Sequence, residues 1–191
     1  GRELRGKRIG IVGLGNVGHR VAKFAKGFDM EVFAYDPYIA PAVFERNQAK
    51  PVASLADLAR QVDVLSVHVP LNKETKNMVD GKILDLMPKG SYVVNAARGG
   101  IIGEKALVER LNAAHVAGAG IDTWESEPKP LPELLNHAKV WASPHIGAST
   151  LEAQIAIGET ILKQVEKAVD GGVVDYPVNL PQVAGIRSEE H

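Results

Sequence analysis

The chain has 191 residues, enough for one domain and part of another at the usual ~150 residues apiece. Its 22 Lys and Arg offset 23 Asp and Glu for a net charge of −1, so no broad field draws in nucleic acid or an anionic membrane. The absence of cysteine excludes disulfide frameworks, cysteine-ligated zinc, iron–sulfur clusters and thiol catalysis, and it fits a reducing, cytoplasmic compartment.

Short apolar runs alternate with helical patterns along the whole chain. Arg8–Val12 reads as a buried strand, and 16–27 follows helical spacing through Val17, Val21, Phe24 and Ala25. Glu31–Tyr35 is the next strand and 51–53 a short one. Ser54 can cap a helix over Leu55–Gln61, with Asp57 in its first turn. Residues 62–67 form a nearly all-apolar strand ahead of Pro70, and a helical pattern over 80–87 stops at Pro88-Lys89-Gly90. A strand over Ser91–Asn95, a helix over 104–114 and a strand over Val116–Ile121 come next. A proline-bearing loop over 125–132, a short strand over 139–142 and a long helix over 151–171 complete the series, with Gly171 and Gly172 ending the helix. Residues 172–191 read as an exit segment, of which 188–191 are a disordered or cloning-derived tail.

Strands apolar on both faces and separated by helices predict a parallel sheet covered on both sides. The expected fold class is α/β, a single doubly wound Rossmann-type domain over 1–180 with a tail over 181–191. No stretch approaches the ~18 unbroken apolar residues of a membrane helix.

Gly13-Leu14-Gly15-Asn16-Val17-Gly18 directly follows the first strand and opens the first helix. The hexapeptide alone is a weak signal, since plain tight turns share its spacing. Here a strand precedes it, a helix follows it, and Asp36 stands at the end of the next strand, near the ~20-residue spacing of a dinucleotide fingerprint. Gly13 permits the tight turn, Gly15 admits a pyrophosphate to the backbone, and Gly18 lets the helix pack close to the strand. The N–H groups of the first helical turn, from Asn16 and Val17 onward, then meet the phosphates at the positive end of the helix dipole. Asp36 would accept hydrogen bonds from the adenosine ribose and repel a 2′-phosphate, which selects NAD over NADP.

Arg98, Asp122, Glu127 and His145 fall where strands end or loops begin, the edge at which open α/β sheets bind ligands. A histidine with a carboxylate partner can move protons near neutral pH, and an arginine fork suits a carboxylate substrate. The residues alone leave a structural ion pair open for each of them. His68 reads as shaping the adenine side of the site, and His19, His115 and His137 as helical surface residues, with His191 in the tail. Trp124 and Trp141 read as packing residues. No metal-ligand spacing links the histidines.

At these residues the chain resembles the nucleotide-binding domain of the D-isomer-specific 2-hydroxyacid dehydrogenases, most closely their D-3-phosphoglycerate dehydrogenase branch. The matching segments are GIVGLGNVG at 10–18, YDP at 35–37, HVPL at 68–71, NAARGG at 95–100, GIDTWESEP at 120–128 and PHIGAST at 144–150. Six blocks in family order are far more specific than any one motif. The resemblance implies that Arg98 binds the substrate carboxylate and C2 oxygen, that His145 is the general base, and that Glu127 orients and stabilises its imidazole. It gives the nicotinamide carboxamide to Asp122, the adenosine ribose to Asp36, and places Pro70 in the cofactor site. The implied reaction is hydride transfer between NAD and a D-2-hydroxy acid, 3-phosphoglycerate first among candidates. Glyoxylate, hydroxypyruvate or D-lactate as substrate, or a non-catalytic NAD-sensing corepressor, remain alternatives. Homodimerisation through this domain is also implied.

Two positions depart from the family pattern. Thr123-Trp124 replaces the commoner Val-Phe, and Gly103 stands where an aspartate often opens the next helix. The resemblance implies that the family's chains begin with a substrate-binding domain of roughly one hundred residues, which puts the glycine loop well into the sequence. Here the loop starts at Gly13, and the chain begins with Gly1, so the expectation is an isolated cofactor domain with little turnover of its own.

Overall fold

A computed structural model describes residues 2–175. β1 (Arg8–Val12) leads through the glycine loop into α1 (Gly18–Gly27), followed by β2 (Glu31–Tyr35), α2 (Pro41–Arg46), β3 (Lys50–Pro51) and α3 (Leu55–Gln61). β4 (Val64–Val67), α4 (Gly81–Leu86), β5 (Ser91–Asn95), α5 (Glu104–Asn112) and β6 (Val116–Ile121) repeat the alternation. α6 (Pro132–Leu135) then precedes the edge strand β7 (Val140–Ala142). Two compact units divide the chain. The sheet unit runs to His145, and the second begins at Ile146 and contains α7 (Leu151–Val169).

The seven strands form one sheet in the order β3-β2-β1-β4-β5-β6-β7, and every pairing is parallel. All carboxyl ends therefore lie along one edge. Strand order reverses on either side of β1, which pairs Ile9 with both Val32 of β2 and Val64 of β4. A crevice at such a reversal is where open α/β sheets receive ligands.

β1 shows why the strands read as apolar throughout. Ile9 and Ile11 join one buried cluster with Leu14, Ala22, Met30 and Phe44, while Val12 joins the other with Leu58, Leu65, Leu84 and Leu107. Alternate residues thus feed two layers, as a sheet covered on both faces requires. Ser54 caps α3 by accepting the N–H of Asp57, as its position in the sequence predicts.

Several bounds differ from the sequence reading. α1 begins at Gly18 instead of 16, because Asn16 and Val17 form the turn that feeds it, with His19 N–H donating to Gly15 O. β4 begins at Val64, since Asp63 is taken by Arg8, whose backbone N–H and guanidinium both bond its carboxylate. α2 is an addition: six residues with Pro41 in the first turn and Phe44 buried, too short to show a period. α6 likewise starts on Pro132, at the end of the segment read as loop. His115 and His137 lie on turns rather than helices, His115 bonding Leu84 O and His137 accepting the N–H of Lys139. Of the two tryptophans only Trp124 packs inside; Trp141 is 68% exposed on the edge strand. The tail and the last part of the exit segment lie outside the described residues.

Candidate functional site

The glycine loop is built by close approach. Gly13 has φ +89, and a Cβ there would come within 2.8 Å of Val69 and 3.1 Å of the His68 carbonyl. A Cβ on Gly18 would lie 2.0 Å from Gly13 O, so no larger residue lets the helix start against the turn. At Gly15, by contrast, a Cβ would meet nothing within 4 Å. The open side of the loop is the side a ligand can reach.

The helix behind the loop has the matching chemistry. α3 and α4 begin with capping side chains from Ser54 and Asp80, but α1 has neither a side-chain cap nor an acidic residue in its first turn. Among the described residues no acceptor meets the N–H groups of Asn16 and Val17. Such a terminus suits a phosphate group. Asp36 stands beside it: Oδ2 accepts the N–H of Leu14 at 2.9 Å and Oδ1 the N–H of Tyr38 at 3.0 Å. Each oxygen keeps a lone pair for a ribose hydroxyl. The residues present therefore fit a dinucleotide. Pro70 is exposed at the start of the loop after β4, its carbonyl accepting Thr75 Oγ1–H.

A second group of side chains gathers beyond β5, β6 and β7. His145 Nδ1 meets both oxygens of Glu127, at 2.9 and 3.1 Å. That hydrogen bond, then the N–H of Trp124, holds the Glu127 carboxyl below its usual range. A carboxylate can only accept, so Nδ1 carries the hydrogen and Nε2 keeps a free lone pair. His145 sits at φ +55, a left-handed conformation that a non-glycine residue adopts at some cost.

Asp122, buried at the end of β6, accepts Ser143 Oγ–H at 2.6 Å, which ties it to the segment leading to His145. Arg98 lies on the loop after β5, exposed, with its guanidinium bonding only the Ala97 carbonyl and no carboxylate among the described residues. Of the structural partners that the sequence left open, His145 and Glu127 have each other through a hydrogen bond, and Arg98 has no carboxylate among the described residues. Asn95 shapes that loop, donating to Arg98 O and accepting from Ala97 N–H. Gly99 presses on the backbone of Trp124, where a Cβ would fall 1.7 Å from the carbonyl oxygen. The arginine loop and the glutamate loop are therefore neighbours.

Sequence reasoning assigned no site role to three residues that hold this arrangement. Trp124 Nε1–H donates to Ser143 O, Ser143 reaches Asp122, and buried Glu104 accepts the N–H of Glu125 at 2.6 Å. The Trp for Phe departure was the visible signal, because only the indole adds a donor. Gly103 caps α5 without a side chain, and a Cβ there would come 2.4 Å from Asn77 Oδ1. A cavity of about 390 Å³ opens beside the pair, walled by Trp124, Glu127, Pro128, Leu135, Ser143 and His145.

Residues 1–147 match the family described as D-isomer specific 2-hydroxyacid dehydrogenase, NAD binding domain. The chain belongs to this family. A D-3-phosphoglycerate dehydrogenase of Methanocaldococcus jannaschii is 39% identical over 183 residues, covering 96% of this chain and 35% of the relative. One from Archaeoglobus fulgidus is 43% identical over 185 residues, covering 96% and 35%. Among solved structures, a glyoxylate reductase from Paecilomyes thermophila superposes with a TM-score of 0.85 at 37% identity, covering 91% of this chain and 52% of that one. The chain spans about a third of the length of the curated relatives it matches. As a 2-hydroxyacid dehydrogenase NAD-binding domain, it has the Rossmann-type fold and the cofactor that its sequence predicts. No helix among the described residues is long and apolar enough to cross a membrane.

Proposed function

We propose that this domain is the cofactor half of an NAD-dependent D-3-phosphoglycerate dehydrogenase that oxidises 3-phosphoglycerate to 3-phosphohydroxypyruvate in serine biosynthesis. The observation that carries the reading is the His145–Glu127 couple, with its free Nε2 beside a cavity at the carboxyl edge of the sheet. Bound NAD supplies the hydride acceptor. Arg98, with no carboxylate partner among the described residues, binds the substrate carboxylate and C2 oxygen through its fork. His145 Nε2 takes the hydroxyl proton as hydride leaves C2, and returns it in the reverse direction. Glu127 stabilises the imidazolium that forms. Asp122 holds the nicotinamide carboxamide, the uncapped start of α1 the phosphates, and Asp36 the ribose.

The names of these curated relatives support this substrate, and the glyoxylate reductase among structural relatives supports a reductase of a smaller keto acid as the second reading. The same reading puts the protein in the cytoplasm and pairs it with a second copy of itself, a small-molecule hydroxy or keto acid being its other partner. In this reading the full-length protein completes the site with a substrate-binding domain. The test uses the full-length protein that carries this domain. Arg98→Ala is expected to lower kcat/KM for 3-phosphoglycerate by about a thousandfold or more while NADH still binds, since charge-assisted bidentate contacts act only on substrate. His145→Asn is expected to remove turnover. Equal loss of NADH binding and turnover in Arg98→Ala, or unchanged turnover in His145→Asn, refutes these roles.

A further inference from the structure

One hydrogen bond links two loops that no ladder joins. Tyr38 lies just beyond β2, and Glu74 lies in the loop after β4. These strands are not neighbours; each pairs with β1 from opposite sides. Parallel strands stand ~4.8 Å apart, so the carboxyl ends of β2 and β4 are separated by roughly 10 Å, with the glycine loop between them. Tyr38 Oη–H donates to Glu74 Oε2 at 2.5 Å, and the contact spans that interval.

Both ends are pinned although the side chains are exposed. The Tyr38 N–H donates to Asp36 Oδ1, while the other Asp36 oxygen accepts from Leu14 in the glycine loop. Asn72 Oδ1 accepts the N–H groups of Glu74 and Thr75, and Thr75 Oγ1 bonds the Pro70 carbonyl. The Tyr38 phenol is held above its usual range, first by the hydrogen bond and charge of Glu74, then by burial and by Tyr35 and Asp36. Asp36 thus holds the backbone of Tyr38 and Glu74 its hydroxyl, so the two carboxylates border the one side chain that crosses beside the glycine loop.

We propose that Glu74, held in place by Tyr38, is a second determinant of cofactor choice, a carboxylate set beside Asp36 that disfavours a phosphate on the adenosine 2′-oxygen. The inference rests on the reading above that Asp36 takes the adenosine ribose. The two carboxylates then differ in kind. Asp36 accepts hydrogen bonds from hydroxyls as well as repelling phosphate, so its loss harms NAD binding too. Glu74 acts on the cofactor only through its field, which adds repulsion from the 2′-phosphate to whatever the shared pyrophosphate feels, so its loss changes NADP more than NAD. Tyr38 is a positioning residue, keeping a long exposed side chain near the ribose.

The test is NADH binding to this chain, followed by fluorescence, with NAD and NADP as competitors at low and high ionic strength. Glu74→Gln keeps an acceptor for Tyr38 but removes the charge. It is expected to tighten NADP relative to NAD by roughly two- to fivefold at low salt, the scale of one exposed charge interaction. The gain shrinks at high salt, as screening requires. Tyr38→Phe is expected to shift NADP in the same direction by less. Asp36→Asn is expected to weaken NAD. An unchanged NADP/NAD ratio in Glu74→Gln, or equal loss of both cofactors, overturns the role of Glu74 even if Asp36→Asn behaves as expected. Asp36→Asn with unaltered NAD and NADP affinities overturns the ribose reading itself, and folded wild-type chain that binds no NADH overturns both.

Discussion

His68 lies behind the glycine loop, its N–H donating to Val12 O and its Nε2 bonded to Ser66 Oγ at 2.9 Å. Burial pushes its pKa down to about 4, from the ordinary 6.5. Because the folded value is the lower one, the unfolded chain takes up the proton first as pH falls from 6.5 toward 4. Stability is full above that window, drops through it and levels off below about 4. By pH 5 the loss amounts to roughly 2 kcal/mol, using 1.36 kcal/mol per pKa unit. Urea unfolding at pH 7 and pH 5 measures it, and His68→Gln is expected to flatten the difference. A slope equal to wild type in that variant assigns the pH dependence to other groups. At this scale, what the sequence made legible was chemistry that travels in motifs: the glycine loop, Asp36, and the histidine–glutamate couple. Contacts between motifs stayed hidden. Nothing in a linear reading brings Tyr38 to Glu74, or the Trp124 indole to the Ser143 carbonyl, because both contacts cross between separate loops.

Elements were legible where burial enforces a period and obscure where a single side chain anchors a short turn. β1, β2, β5 and β6 took the bounds their apolar runs predict, and α3 the start its serine cap predicts. α2 and α6 escaped, each holding one buried anchor, Phe44 or Leu134. The contact between α3 and β1 shows how little slack the packed elements have. A Cβ on Gly10 would come within 3.0 Å of both Leu58 and Val62, residues with no exposure at all. Gly10 therefore sets the spacing between helix and strand. Gly10→Ala is expected to cost about 1–3 kcal/mol by overpacking, read as a lower urea midpoint with an unchanged m-value. The displacement also reaches Val12 and the loop it feeds, so NADH affinity should fall with stability. A variant as stable as wild type means that α3 can shift without cost.

For the whole molecule, the parallel sheet explains how distant sequence segments come to one edge. Asp36, Pro70, Arg98, Asp122 and His145 each follow a different strand, and parallel pairing alone puts those strand ends side by side. The fold class was legible for the same reason, since alternation of strand and helix leaves few other arrangements. α7 carries the remaining argument. It buries none of its residues, yet Leu151, Ile155, Ile157, Ile161, Leu162, Val165 and Val169 are apolar and exposed along it. A helix of this length exposing seven large apolar side chains is expected to meet a partner. The pairing proposed above predicts that a second copy of the chain covers this helix, since a two-fold contact sets the same surface against itself. Sedimentation velocity is expected to give twice the chain mass at micromolar concentration. Ile155→Glu with Leu162→Glu is expected to give monomers that still bind NADH, because the glycine loop and Asp36 belong to the sheet unit, which ends at His145. Wild-type chain that sediments as a monomer refutes the pairing, and a double variant that stays dimeric assigns the contact to another surface.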